Sequence, residues 1–389
     1  MRLSKRVDSL KGYLGTQMNE RIAALRAQGQ DVINLGIGDP DYPVPQHMLD
    51  ALGKAVADPK SHMYPSHYGF RQLRLAIARW YERRFGVKAD PDKEIVSLLG
   101  SSDGLYNIHT ALLDPGDLAL IPDPGYPPYT SAVSLAGGEP YYFPITQEQG
   151  WVPDLDAIPA GVVSKSNMIW LNYPNNPTAG VASLDFFEKL VHWAKKNEIW
   201  VVHDAPYADL CFDGYVAPSF LQVPGAMDVG IEFHSLSKTY NVTGWRVGMA
   251  VGNRQVLDAL NRIKTHSDRG IFWPLQQAAI VALDGPDDWM ADRNQMFQHR
   301  RDVVVSGLRD AGIECETPKA TFYVWGKVPE GWTSSDFCFH LLDRIAVWMM
   351  PGSMYGPHGE GYFRLATTDP VERLSEAIRR IKQRELWAC

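Results

Sequence analysis

At 389 residues the chain is too long for one ordinary hydrophobic core, and a prior of roughly 150 residues per domain divides it into about two or three. Its formal charge of −7, from 38 basic and 45 acidic residues, argues against a nucleic-acid surface and favours nothing beyond solubility. Cys211, Cys315, Cys338 and Cys389 show no C-x-x-C spacing. No metal site is therefore expected, and the scatter suits a reducing compartment. The opening MRLSKRVDSLKGY has no apolar run behind its basic residues, and no run of ~18 apolar residues follows anywhere, so neither a secretory signal nor a membrane span is expected. These features predict a cytoplasmic protein.

Residues 16–28 carry apolar positions at helical spacing and stop at Gly29. DVINLGIGDPDYPVP is then a short apolar run broken by Gly36, Gly38, Pro40, Pro43 and Pro45, which predicts a strand feeding an extended loop. Helices are expected over 46–57 and about 68–84. A buried strand over 94–99 enters a Gly/Ser turn and leaves it as a helix. The same pattern recurs through LALIPDPGYPPYTSAVSLAG, SNMIWLNYPNNPTAG with a helix over 184–197, EIWVVHDAPYADLCF and VGIEFHSLSKTYNVTGWRVGMAVG. Strands alternating with helices predict an α/β domain with a mostly parallel sheet flanked by helices. One long helical stretch is expected over 273–311, at the domain junction. Beyond Gly312, a strand in TFYVWGKVP, a helix over 335–345 and a strand in GYFRLATT predict a smaller α+β domain.

Polar motifs fall where strands of such a sheet end, and ligands collect there. The turn Gly100-Ser101-Ser102-Asp103-Gly104 precedes a helix, so it reads as an anion site or as a simple capped turn. Ser235, Ser237 and Lys238 follow the run IEFH, with Arg246 eight residues on. A lysine there is by itself a surface residue. With hydroxyls and a bidentate cation beside it, it begins to resemble a site for a phosphorylated aldehyde, because an unprotonated lysine forms imines. Asp204 closes an apolar strand and is costly there unless paired; it is either a cap or a counter-ion for a protonated pyridine nitrogen. Tyr207 follows at three residues. Asn176 lies in the loop NYPNNPT, and Tyr126 in DPGYP is either packing or an aromatic face for a ring. Arg364, between apolar neighbours, needs an anion: a substrate carboxylate and a structural salt bridge serve equally.

In this order, the NNPT, D-x-x-Y and S-x-S-K motifs and the arginine eight residues later resemble class I/II aminotransferases of pyridoxal phosphate (PLP) fold type I. The resemblance covers nearly the whole chain. It implies a large PLP-binding domain over 46–285, and a small domain over 286–389 joined by the N-terminal segment 1–45, so that both chain ends form it. It implies that Lys238 holds PLP as a Schiff base and moves the substrate Cα proton. Asp204 would pair with the ring nitrogen, and Asn176 and Tyr207 would hold the 3′-oxygen. Tyr126 would stack on the ring. Ser101, Ser102, Asp103, Ser235, Ser237 and Arg246 would bind the phosphate, with Tyr64 reaching the partner's phosphate in a homodimer with shared sites. Gly38, Asn176 and Arg364 would meet the substrate.

The substrates implied are an L-amino acid and a 2-oxo acid, of the diaminopimelate, alanine, glutamate or aspartate type. Segment 263–274 is similar to the diaminopimelate and alanine subgroups, and its Arg269 is a specificity candidate. A PLP-dependent C–S β-lyase, or a related eliminating enzyme on the same fold, is the alternative. A transcription regulator of this fold carries a DNA-binding domain ahead of the PLP module, and motifs beginning by Gly38 leave no room for one.

Overall fold

The computed structural model describes residues 4, 6, 10 and 14–383; most of the basic N-terminal segment, and Cys389, lie outside them. Cys211, Cys315 and Cys338 are free thiols. No helix of the described residues is long and apolar enough to cross a membrane.

After the helix Leu14–Ala27, strand β1 (Ile33–Asn34) leads into the Gly/Pro loop. The helices Gln46–Val56 and Arg71–Phe85 follow, then β2 (Ile95–Leu98), β3 (Leu118–Asp123), β4 (Glu139–Pro144), β5 (Ser166–Asn172), β6 (Trp200–Asp204), β7 (Gly230–Ser235) and β8 (Gly248–Gly252). These last seven strands form one sheet in the order β2-β8-β7-β6-β5-β3-β4. Only β8 runs against its neighbours. Successive side chains serve opposite faces: Met168, Trp170 and Val202 join one hydrophobic cluster, Ile169, Leu171 and Val201 the other. A sheet buried on both faces needs two helical layers. The helices Ser101–Leu112, Pro128–Ala136 and Arg254–Ser267 cover the first face; Arg71–Phe85, Leu184–Asn197 and Trp273–Leu283 cover the second. Parallel β3, β5, β6 and β7 therefore end at one edge, on Asp123, Asn172, Asp204 and Ser235.

The helical stretch expected over 273–311 is two helices, Trp273–Leu283 and Asp288–Asp310. They part at Asp284-Gly285-Pro286-Asp287, where Pro286 offers no N–H to continue the ladder. The second helix bridges the molecule. Trp289 and Met290 pack on the large-sheet core, while Val304, Val305 and Leu308 belong to another cluster. That cluster joins Met18, Ile22, Ile33 and Leu35 from the start of the chain to Leu341, Leu374 and Ile378 from its end. Around it, β9 (Tyr323–Lys327) and β12 (Tyr362–Ala366) pair antiparallel, β10 (Val347–Trp348) pairs parallel with β1, and β11 (Met350–Pro351) pairs antiparallel with β12.

Candidate active site

Lys238 sits on the single-turn helix Leu236–Thr239 at the end of β7. Ser235 starts that turn by accepting the Ser237 N–H on its hydroxyl at 3.2 Å. Arg293, fully buried on the bridging helix, ends it by donating to the carbonyls of Lys238 (2.7 Å) and Thr239. The Lys238 ammonium donates to the Gly38 carbonyl at 2.7 Å and stands 5.4 Å from the Phe322 ring. Burial pulls its pKa down to about 8, against the opposing charge of Asp39 and assisted by the cations Arg364 and Arg246. The amine is thus within reach of deprotonation near neutral pH.

Asp204 ends β6 and is buried. One carboxylate oxygen accepts the Tyr129 hydroxyl at 2.8 Å; the other, Oδ1, has no partner. Tyr129 is fixed by stacking on Trp170 at 4.5 Å and 12°, and Trp170 in turn donates to His109 at 2.8 Å. Burial raises the Asp204 pKa to about 6, against the Tyr129 hydrogen bond and the two histidines His203 and His234. An unpartnered carboxylate oxygen in a cavity wall invites a cationic N–H donor. Asn172, at the end of β5, ties this edge together: its amide donates to the Asp204 carbonyl and its oxygen accepts the Asn176 N–H, both at 2.7 Å.

The third wall is suited to an anion. Ser101 and Ser102 open the helix Ser101–Leu112, whose first N–H groups have no partner within the helix. Arg246 lies opposite, donating to the Ser237 hydroxyl at 3.4 Å and the Thr243 carbonyl at 2.8 Å. Gly100 admits it: with φ +75°, any Cβ would stand 2.2 Å from the guanidinium. These groups, with Lys238, Asp204 and Tyr126, enclose a cavity of about 170 Å³.

A second chamber of about 330 Å³ shares Lys238, Tyr126, Asn176 and Tyr207 with the first. Arg364 lies at its base, buried, donating to Asn176 Oδ1 at 2.9 Å and the Gly36 carbonyl at 2.6 Å. Its Nε has no partner, and none of its hydrogen bonds goes to a carboxylate. The structural salt bridge is therefore not what holds it. The faces of Tyr323 (4.1 Å) and Tyr355 (5.1 Å) orient the guanidinium. Tyr207 donates to the Tyr323 hydroxyl at 3.3 Å.

The structure thus brings together Ser101, Ser102, Tyr126, Asn176, Asp204, Tyr207, Ser235, Ser237, Lys238 and Arg246, with Gly38 and Arg364 in the adjoining chamber. Three expected residues are elsewhere. Asp103 lines neither chamber; its carboxylate accepts from the Leu99 N–H, from Asn107 and from Lys264. It shapes the turn from behind because its side chain points away from the cavity towards a buried ammonium. Tyr64 is 88% exposed and touches neither chamber of its own chain. Arg269 is exposed and lines neither. Sequence reasoning missed Tyr129, Asn172, Thr243, Tyr323 and Tyr355. Asn172, a polar strand end, carried a legible signal; Tyr129 reads as helix packing, and the other two tyrosines come from far along the chain.

The model of the family "Aminotransferase class I and II" matches residues 30–381. The LL-diaminopimelate aminotransferase of Dehalococcoides mccartyi is 49% identical over 381 residues, and that of Moorella thermoacetica 47% over 383, each alignment covering 98% of both chains. Among solved structures, substrate-bound BacF from Bacillus subtilis superposes with TM-score 0.94 at 35% identity, covering 98% of both chains. A single mutant of the aspartate aminotransferase from Thermus thermophilus superposes with TM-score 0.93 at 28% identity, covering 99% of this chain and 100% of the other. The cavity has what the family's cofactor asks for: an amine of lowered pKa, an unpartnered buried carboxylate oxygen, and an anion cradle that a Cβ at Gly100 would fill. With fold, site chemistry and relatives in agreement, the chain belongs to the class I and II aminotransferases and is a PLP-dependent enzyme that transfers amino groups.

Proposed function

We propose that the enzyme moves the α-amino group between LL-diaminopimelate and a 2-oxo acid, with Lys238 as the proton-moving base. The observation that carries the chemistry is the meeting of three groups in joined chambers: the buried Lys238 amine, with its pKa near 8 and its bond to the Gly38 carbonyl, and two atoms without a partner, Asp204 Oδ1 and Arg364 Nε. The bound cofactor supplies an aldehyde carbon that condenses with amines and a protonated ring that draws off electrons from the substrate Cα. Lys238 would hold the cofactor and serve as the base that moves the substrate Cα proton. Asp204, through Oδ1, would keep the ring nitrogen protonated. Asn176 and Tyr207 would donate to the ring oxygen, and Tyr126 would offer its aromatic face to the ring. Ser101, Ser102, Ser235, Ser237 and Arg246 would hold the phosphate. Arg364 and the Gly38 backbone grip the substrate α-carboxylate, and Tyr323 and Tyr355 keep the guanidinium aimed.

The substrate reading rests on the relatives' names at up to 49% identity. Among the described residues the outer chamber offers no cation but Lys238 and Arg364, and the distal end of a long substrate calls for further groups, which a second copy would supply. Exposed Tyr64, Met63 and Phe272 line one concave surface, which supports a homodimer with Tyr64 reaching the partner's phosphate. The free thiols of three cysteines accord with a cytoplasmic enzyme. The test is a panel of amino donors against pyruvate, 2-oxoglutarate and oxaloacetate. LL-diaminopimelate is expected to give the highest kcat/KM; no transfer from it, while alanine or aspartate reacts, would defeat the substrate reading.

A further inference from the structure

Behind the anion-binding turn lies an ion triad that the chemistry above does not use. Lys264, on the helix Arg254–Ser267, has a side chain with no exposure at all. Its ammonium is held by Asp103 on one side and by Asp268 Oδ2, at 2.7 Å, on the other. Each carboxylate has a further task. Asp103 accepts the Leu99 N–H at 3.0 Å and the Asn107 side-chain amide at 2.6 Å, which ties the backbone ahead of Ser101 to the helix that Ser101 and Ser102 open. Asp268 Oδ1 accepts the Gly270 N–H at 2.6 Å, and the Asp268 carbonyl is bonded to the His67 ring at 3.1 Å. Gly270 approaches so closely that a Cβ there would stand 2.6 Å from the Ser66 carbonyl. One ammonium therefore joins the turn under the phosphate to the 62–68 segment that displays Tyr64.

A buried ion group of this kind is a poor source of stability, since desolvation cancels most of its Coulomb energy; its better-attested use is to fix one arrangement against others. Here the arrangement matters electrostatically as well. Asp103 is adjacent to Ser102, and its bare charge would repel a phosphate dianion. Lys264 pairs with it directly and offsets its charge, and Asp268, the second carboxylate on the same ammonium, holds Lys264 in place.

We propose that Lys264 is a positioning residue that couples phosphate binding at Ser101 and Ser102 to the seating of the Tyr64 segment against a second subunit. The inference rests on the phosphate and homodimer readings above. Its test uses the full-length apoenzyme as wild type, Lys264→Met and Asp268→Asn; the last keeps the buried ammonium should Lys264→Met fail to fold. Two affinities are titrated, for PLP and for pyridoxal, which lacks the phosphate. The dimer constant is measured by sedimentation with and without PLP. Both variants are expected to weaken PLP binding about tenfold or more and to leave pyridoxal binding within about twofold. PLP is expected to tighten the wild-type dimer about tenfold, and Asp268→Asn to erase that gain. Unchanged PLP affinity, or equal losses for PLP and pyridoxal, overturns the positioning role. A PLP-saturated wild type that stays monomeric defeats the homodimer reading and the coupling to it. The PLP-to-pyridoxal comparison then still decides whether Lys264 organises the phosphate turn.

Discussion

Asp204→Asn is expected to make the apoenzyme's stability less sensitive to pH while abolishing its catalytic value. The Asp204 carboxyl is buried, one oxygen lacks a partner, and its pKa is raised from 3.8 to about 6. Between those values the folded chain binds a proton that the unfolded chain has lost, so the stability contributed by this group falls as pH rises through the window. From pH 4.5 to 7 the difference is roughly one and a half units, or about 2 kcal/mol at 1.36 kcal/mol per unit. Asparagine cannot ionise. Its absolute stability is a separate matter, because an unpartnered amide N–H costs on the order of 1–3 kcal/mol. The measurement is therefore the difference between two urea-unfolding series, apo wild type and apo variant, at matched pH. The wild type should lose about 2 kcal/mol relative to the variant across that range, and PLP should remove most of the difference by pairing with the carboxylate. Parallel series in the apo state would refute the claim that Asp204 sits unsatisfied without the cofactor.

With the Lys238 pKa depressed to about 8, capture of PLP by the apoenzyme should accelerate as pH rises and level off above that value, followed by stopped-flow absorbance. A midpoint near the ordinary lysine value of 10.5 would show that burial does not depress it. Arg364→Gln should raise KM for the amino acid about a hundredfold while the bound-cofactor absorbance stays, since an arginine–carboxylate fork is worth on the order of 3 kcal/mol in a buried site. Arg293→Met leaves the carbonyls of Lys238 and Thr239 without this donor, while that of Asp209 keeps the Asn294 amide, and should cost on the order of 3 kcal/mol in urea-unfolding stability. Gly100→Ala should weaken PLP binding in equilibrium dialysis without unfolding the chain, because the new methyl displaces the Arg246 guanidinium.

What the sequence disclosed was whatever a local pattern could carry. β6 and β7 are apolar runs ending in a polar residue, so Asp204 and Ser235 mark the ligand edge before any fold is known; Asn172 ends β5 with the same signal, which the sequence reading passes over. The break at 284–287 was hidden because apolar positions recur at helical spacing on both sides of it. The Asp103 side chain turns elsewhere for a different reason. In a turn beside two serines it reads as part of the cradle, and the lysine that claims it lies 161 residues away. Tyr323 and Tyr355 were illegible on the same ground: they matter only once β12 brings Arg364 alongside β9, which carries Tyr323, and β11, which leads to Tyr355, pairings that no short-range spacing announces.

Buried charge is common in this molecule, and how completely it is satisfied separates structure from function. Glu232, fully buried, accepts from Tyr81, Ser219, His203, His234 and the Phe220 N–H, and those bonds from both histidines hold its pKa well below the usual range despite the burial that would raise it. Arg293 finds carbonyls for its guanidinium, and Lys264 finds two carboxylates. Such groups are locked by several partners at once, so they can fix a shape but not act on a ligand. Among the described carboxylates and guanidinium groups, the buried atoms left without a partner are Asp204 Oδ1 and Arg364 Nε. Each costs free energy as long as it lacks a partner, which a sequence selected for stability alone would remove. Their placement on either side of Lys238 has a physical reason only if a cation pairs with the first and an anion with the second during turnover. A ligand that presents both, a protonated ring nitrogen on one side of the reacting carbon and a carboxylate on the other, is what an amino acid joined to PLP provides.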